Sequence, residues 1–167
     1  MRYNFFDDVS AGFNLLHFSG HGSGTILSAI ASTQPFKGSA LELEGGTSSG
    51  DRGSDRGLAL HLRGSIPWLS YDLRAVDAGP RFGGYYRDVR FASFNIVGSA
   101  GREMHLELSG NTQRRNLLSD TLVGGAPRSG FIQVGGGYGN LAGVSLRSSI
   151  LRDTLTSTPI ERRENVV

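Results

Sequence analysis

The chain has 167 residues, with 25 Gly, 5 Pro, no Cys, 38% apolar residues and a formal net charge of +2. That length suits one domain with a core of its own. The missing cysteines exclude disulfides, thiolate catalysis and zinc–thiolate sites, and the near-zero charge excludes strong steering toward nucleic acid.

The opening residues, with Asp7 and Asp8 close behind the first apolar side chains, hold no apolar core of signal-peptide length. No stretch reaches the length of a membrane-spanning helix, and no membrane insertion is expected. Asp7-Asp8 could offer oxygen ligands to calcium or cap a turn. His17 and His21 bracket a Gly/Ser turn without zincin spacing, and Gly20-His-Gly-Ser-Gly24 lacks the spacing and helix of a nucleophile elbow. Leu27–Ala31 is one of two short helix candidates.

Ser39–Glu44 alternates Leu41 and Leu43 with Glu42 and Glu44, the period of two of a strand with one buried and one wet face. Gly45–Arg56 is polar and Gly-rich, and is expected to form a long loop. Gly57–Arg63 puts Leu58, Leu60 and Leu62 in one phase, with His61 in the other. Ile66–Arg74 is a further strand, in which Trp68 is expected to be the core tryptophan of the domain. In Asp88–Val97 the phase slips between Val89/Phe91 and Phe94/Ile96. Either a bulge near Ala92 or Ser93 or cover on both faces would account for it. Arg102–Ser109 aligns Met104, Leu106 and Leu108, with His105 and Glu107 in the polar phase. If the strands of His61 and His105 pair, the two imidazoles could share a metal, but two solvent-facing strand residues are the favoured reading.

Arg115–Leu122 is the second helix candidate, and Gly130–Val134 and Leu141–Ser148 are the last expected strands. Gly45-Gly46, Gly83-Gly84, Gly98–Gly101, Gly110-Asn111, Gly124-Gly125 and Gly135-Gly136-Gly137 read as turns between strands, Gly135–Gly139 as a hairpin or wide loop without the helix that a phosphate loop needs. Residues 1–150 form the expected domain, and 151–167 an extension or arm.

The expected fold is therefore all-β, an antiparallel β-sandwich or jelly roll with long Gly-rich loops and little helix. No catalytic set, metal site or cofactor motif assembles, so the chain is not expected to be an enzyme. The residues best suited to a ligand are Tyr71, Tyr85, Tyr86, Arg87 and Arg90, since aromatic rings and guanidinium forks serve sugars and protein interfaces alike.

Trp68-Leu-Ser-Tyr-Asp-Leu, Val89-Arg-Phe-Ala-Ser-Phe-Asn-Ile, Met104-His-Leu-Glu-Leu-Ser-Gly, Phe131-Ile-Gln-Val and Leu141-Ala-Gly-Val-Ser-Leu-Arg together resemble the jelly-roll sandwich of carbohydrate-binding modules and galactose-binding-like domains. The resemblance implies glycan recognition. The closing strand lacks the acidic or Asn residue that completes the calcium site of those families. The same architecture serves viral and phage structural subunits. The function expected from sequence is accordingly a non-catalytic structural subunit of a larger homo-oligomeric assembly, of the virion or particle type, with a carbohydrate-binding module as the alternative. Nucleic acid is not an expected partner.

Overall fold

A computed structural model describes residues 2–6, 9–19, 23–51, 53–101, 103–120, 122, 125–139, 142–153 and 160–166. The strands are β1 (Arg2–Phe6), β2 (Val9–Phe18), β3 (Gly24–Thr33), β4 (Ser39–Gly50), β5 (Gly53–Ile66), β6 (Leu69–Ala78), β7 (Val89–Ala100), β8 (Met104–Arg115), β9 (Arg128–Tyr138), β10 (Ala142–Asp153) and β11 (Ile160–Val166). No helix occurs among the described residues. Leu27–Ala31 lies inside β3; Arg115 ends β8 and 116–120 is turn and irregular backbone, so neither short helix candidate forms among the described residues. Their Ser, Thr and Asn content favours extended or turn backbone.

The all-β, antiparallel class is as expected. The arrangement is not the two-layer jelly roll: eleven strands form a single sheet in chain order, each paired with the next. A jelly roll needs Greek-key pairings between non-consecutive strands. Here every connection is a hairpin, which asks least of loop closure. Residues 160–166, expected within a C-terminal arm, pair with β10 as β11.

The glycines explain why sequence reading placed loops where strands run. Gly45 and Gly46 lie within β4, Gly98 in β7, Gly110 in β8 and Gly135–Gly137 in β9. The expected loop 45–56 is largely the end of β4 and the start of β5, with Asp51 in a turn between them. At Gly110, as at Gly24 and Gly64 elsewhere in the sheet, a neighbouring strand's ring lies over the glycine. Phe94 covers Gly110, Phe18 covers Gly24, and Tyr71 covers Gly64. Glycine within a strand is costly unless a close approach uses the space.

Of the two accounts of the phase slip in β7, the bulge is absent. Both ladders of β7 run without a register shift, from Ala78↔Val89 to Leu69↔Gly98 and from Val89↔Arg115 to Ala100↔Met104. The phase slip instead reflects apolar side chains on both faces. The buried cluster of Val76, Ala78 and Val89, with Ala59, Phe82 and Phe91 packed against it, sits where the connection 79–88 folds back over one face of the sheet.

Candidate functional site

Side chains in one hydrogen-bonded row share a face, and adjacent rows face opposite ways. One row reads Tyr71, Ile96, Leu108, Val134, Leu146 across β6 to β10. The adjacent row reads Arg63, Asp72, Asn95, Ser109, Gln133, Arg147 across β5 to β10. The segregation is clearest in β8 to β10; across β3 to β7 the polar face also carries Ile26, Ile30, Val76, Val89 and Phe91. The apolar face continues through Phe13, Leu15, Leu27, Leu43, Leu58, Leu60, Leu106 and Val144. These side chains are not a core. Leu106 is 60% exposed and Leu146 54%.

Charge is segregated just as sharply. On the apolar face of β2 to β10 the Asp, Glu, Lys and Arg residues are Arg56, Asp77, Arg90, Arg114, Arg128 and Arg152. All six lie toward one end of their strands. Of the five connections at that end, 19–23, 51–52, 79–88, 116–127 and 154–159, the last three are each longer than any at the other end, where 7–8, 34–38, 67–68, 101–103 and 139–141 join the strands.

The opposite face is polar and internally bonded. Ser10 and Ser32 share a hydrogen bond of 2.6 Å, and the Asn14 amide donates to Ser28 at 3.5 Å. His61 Nε2 lies 2.9 Å from Asp72 Oδ2, whose other oxygen accepts from Arg74 Nε at 3.2 Å. Arg63 reaches Glu42 at 3.7 Å. The Arg147 guanidinium stacks 4.2 Å from the Phe131 ring centroid.

The connection 79–88 closes over this polar face. Gly83 N–H donates to Ser48 Oγ at 3.0 Å, and Arg81 N–H to Asp55 Oδ2 at 3.0 Å. Phe82 is seated on Gly57 and Gly84, where any side chain would collide with its ring. A cleft lined by Phe18, Ser48, Asp51, Arg81, Phe82 and Arg87 opens beside it.

The five residues expected to bind a ligand divide between the two faces. Tyr85 and Tyr86 lie together on 79–88, centroids 4.9 Å apart, edge to face, and Arg87 follows them at the cleft. Tyr85 is 94% exposed. Tyr71 and Arg90 lie elsewhere, on the apolar face near opposite ends of their strands. Tyr71 packs over Gly64 beside Phe36, and Arg90 pairs with Asp77 at 2.8 Å. Trp68, expected in the core, is 58% exposed in the turn at 67–68, because no second layer covers it.

His61 and His105 do not meet, since β6 and β7 separate their strands. No cluster of three metal-ligating side chains occurs among the described residues. Asp7, Asp8 and His21 lie outside the described residues.

No family model matches the chain, and no solved structure matches it. Among curated proteins it is similar to the taurine import ATP-binding protein TauB of Burkholderia pseudomallei (strains 1710b and K96243) and of Burkholderia thailandensis. In each case the identity is 34% over 111 residues, 63% of this chain and 42% of the relative. The chain thus spans about two fifths of the length of the curated relatives it matches. A P-loop for ATP needs Gly-Lys-Ser/Thr closing its glycine-rich run. Here the single lysine, Lys37, stands between Phe36 and Gly38, so that motif is missing from the chain.

Proposed function

We propose that this chain is the wall of a transmembrane β-barrel, with its apolar face against lipid and its polar face toward water. The observation that carries this reading is the pair of adjacent rows: Ile96, Leu108, Val134 and Leu146 on one face, Asn95, Ser109, Gln133 and Arg147 on the other. A soluble sheet buries its apolar face under a second layer; this one exposes it. Strands that cross a bilayer alternate in this way, take about 9–11 residues to span it, and join through short turns at one side and longer loops at the other. Strands β2 to β10 are 10 to 14 residues long.

The expectation of no membrane insertion rested on the length of apolar runs, a criterion for helices. Strands show lipid only every second residue, so no long run is needed. The free edges of β1 and β11 would pair to close the wall, with each other or with further strands, because an open edge is untenable in hydrocarbon.

Trp68 provides the test. The chain is refolded from urea with and without zwitterionic phosphatidylcholine vesicles, and Trp68 emission is followed with bilayer-embedded brominated lipids. The expected result is native β-structure only with lipid, Trp68 quenched near the interface, and resistance to carbonate extraction. A chain that folds without amphiphile into a defined water-soluble particle, with Trp68 indifferent to lipid, overturns the proposal in favour of the structural-subunit reading.

A second reading, compatible with the first, is supported by Tyr85. Its 94% exposure next to Tyr86 at the long-loop end gives a stacking platform of the type that glycans use. A glycan array with the parent chain and Tyr85→Ala tests it. No glycan-dependent signal, or equal signal from both, removes the reading.

A further inference from the structure

At the long-loop end of the apolar face, one hydrogen-bonded row reads Asp77, Arg90, Arg114, Arg128, Arg152, Glu161 across β6 to β11. Four arginines thus stand directly opposite one another on consecutive strands, all exposed. Like charges in direct cross-strand register repel, and a sheet does not place four in a row without something that offsets them. The two outer arginines have partners: Arg90 pairs with Asp77 at 2.8 Å and Arg152 with Glu161 at 2.9 Å. The inner two have no carboxylate partner among the described residues. Arg114 donates to the Leu117 carbonyl at 3.4 Å, and Arg128 enters no ion pair.

The surroundings narrow the counter-charge. Gly130, next along the strand from Arg128 on this face, leaves a depression bordered by Thr112, Arg128, Ile132, Ile150 and Arg152. Along this face the guanidinium groups are followed by Ile150 and Ile132, with Thr112 and Ser148 beside them, the order in which a phosphate headgroup precedes its acyl chain. At about 4.8 Å between strands, Arg90 to Arg152 spans about 14 Å. That is wide enough for more than one headgroup. Planar guanidinium forks suit phosphate oxygens better than ammonium groups do, and every basic residue of the row is arginine.

We infer that Arg114 and Arg128, flanked by Arg90 and Arg152, bind the phosphate groups of anionic lipid where the apolar face meets the bilayer surface. This rests on the transmembrane reading above and adds to it a site and a lipid class. Asp77 and Glu161 engage the outer arginines and leave the middle of the row as the receptor.

The test uses the full chain and two kinds of vesicle, zwitterionic phosphatidylcholine alone and the same lipid with anionic phosphatidylglycerol, read by Trp68 quenching. Insertion into zwitterionic vesicles tests the transmembrane reading. The lipid concentration for half-maximal quenching is expected to fall when anionic lipid is added. An arginine near an anionic surface is worth about fivefold in binding, so Arg114→Gln/Arg128→Gln should lose about 25-fold of that gain. Arg147→Gln, on the polar face, should lose none of it. Insertion with no dependence on anionic lipid, or an anionic preference undiminished in the double variant, overturns the inference and leaves the transmembrane reading standing. Failure to insert into either vesicle overturns both. Inorganic phosphate that abolishes the preference at matched ionic strength would assign the row to free phosphate, and overturns the choice of lipid.

Discussion

The Phe94 ring lies over Gly110, its direct partner on the neighbouring strand. A Cβ at position 110 would come within 2.8 Å of Phe94 Cζ and equally close to the Phe131 carbonyl oxygen. Gly110→Val should therefore destabilise the folded chain by about 1–3 kcal/mol, the usual cost of overpacking a closed site. Gly135→Ala is the control, since its Cβ would meet only ordinary contacts, the nearest at 3.5 Å. Urea titration of the folded chain in vesicles measures both. Equal midpoints for the two variants would show that the ring moves aside freely.

The two faces respond differently to charge under the transmembrane reading. Val134 and Gln133 are sequence neighbours that point to opposite sides of β9. Val134→Arg should cost about 2–4 kcal/mol of folding stability in a bilayer, and Gln133→Arg close to nothing. Refolding yield in phosphatidylcholine vesicles, compared for the two variants, gives the difference. Equal tolerance would place both faces in water.

The connection 116–127 is tied at both ends by carboxylates, Asp88 accepting from Leu117 N–H at 2.7 Å and Asp153 from Ala126 N–H at 3.1 Å, and internally by Asn116. Asn116 is buried, adopts φ 52° and makes three hydrogen bonds. Its amide nitrogen donates to the carbonyls of Asp120 at 2.8 Å and Gly125 at 2.9 Å, and its amide oxygen accepts from Asp120 N–H at 2.8 Å. Asparagine tolerates the left-handed backbone better than most residues. Asn116→Ala should cost about 1–3 kcal/mol through unpaired polar groups and open 116–127 to proteolysis. Leu118→Ala, at an exposed position, should leave the cleavage rate unchanged.

At the end of β4 the Asp51 carboxylate accepts from the Ser23 backbone N–H at 2.8 Å and from its hydroxyl at 3.1 Å. The backbone bond chiefly, then the hydroxyl, holds its pKa below the usual aspartate value. A folded-state pKa below the unfolded one gives a contribution that is present above the unfolded value and lost as pH falls through the folded one. The Ser23 amide resonance should therefore titrate below the ordinary aspartate range. Asp51→Asn should abolish that titration. A Ser23 amide that titrates in the normal range would show that the turn is not closed this way.

Several elements were legible in the residues alone. Leu41/Leu43, Leu58/Leu60/Leu62 and Met104/Leu106/Leu108 each mark a strand and divide it into two faces, and all three runs lie in strands. The glycines were not legible in the same way. A glycine under Phe94 or Tyr71 and a glycine in a turn are the same letter, and only the register that brings a ring over it tells them apart. The ligand-binding group illustrates the same limit. Tyr85, Tyr86 and Arg87 stay together because one connection carries them, whereas Tyr71 and Arg90, close in sequence, lie toward opposite ends of the sheet on its other face.

What the sequence determined by itself is a chain of alternating strands, most of them apolar in one phase and polar in the other. That follows from local backbone geometry, because successive residues of a strand must point to opposite sides. What only the tertiary structure decided is which phase is left uncovered. A period of two reads identically in a sandwich that buries its leucines and in a single sheet that exposes them. The difference lies in strand order, and a meander in chain order supplies no second layer to cover Leu106, Val134 and Leu146. The row of Arg90, Arg114, Arg128 and Arg152 also belongs to the tertiary structure. Its members are scattered over sixty residues and become neighbours only through the register of three hairpins.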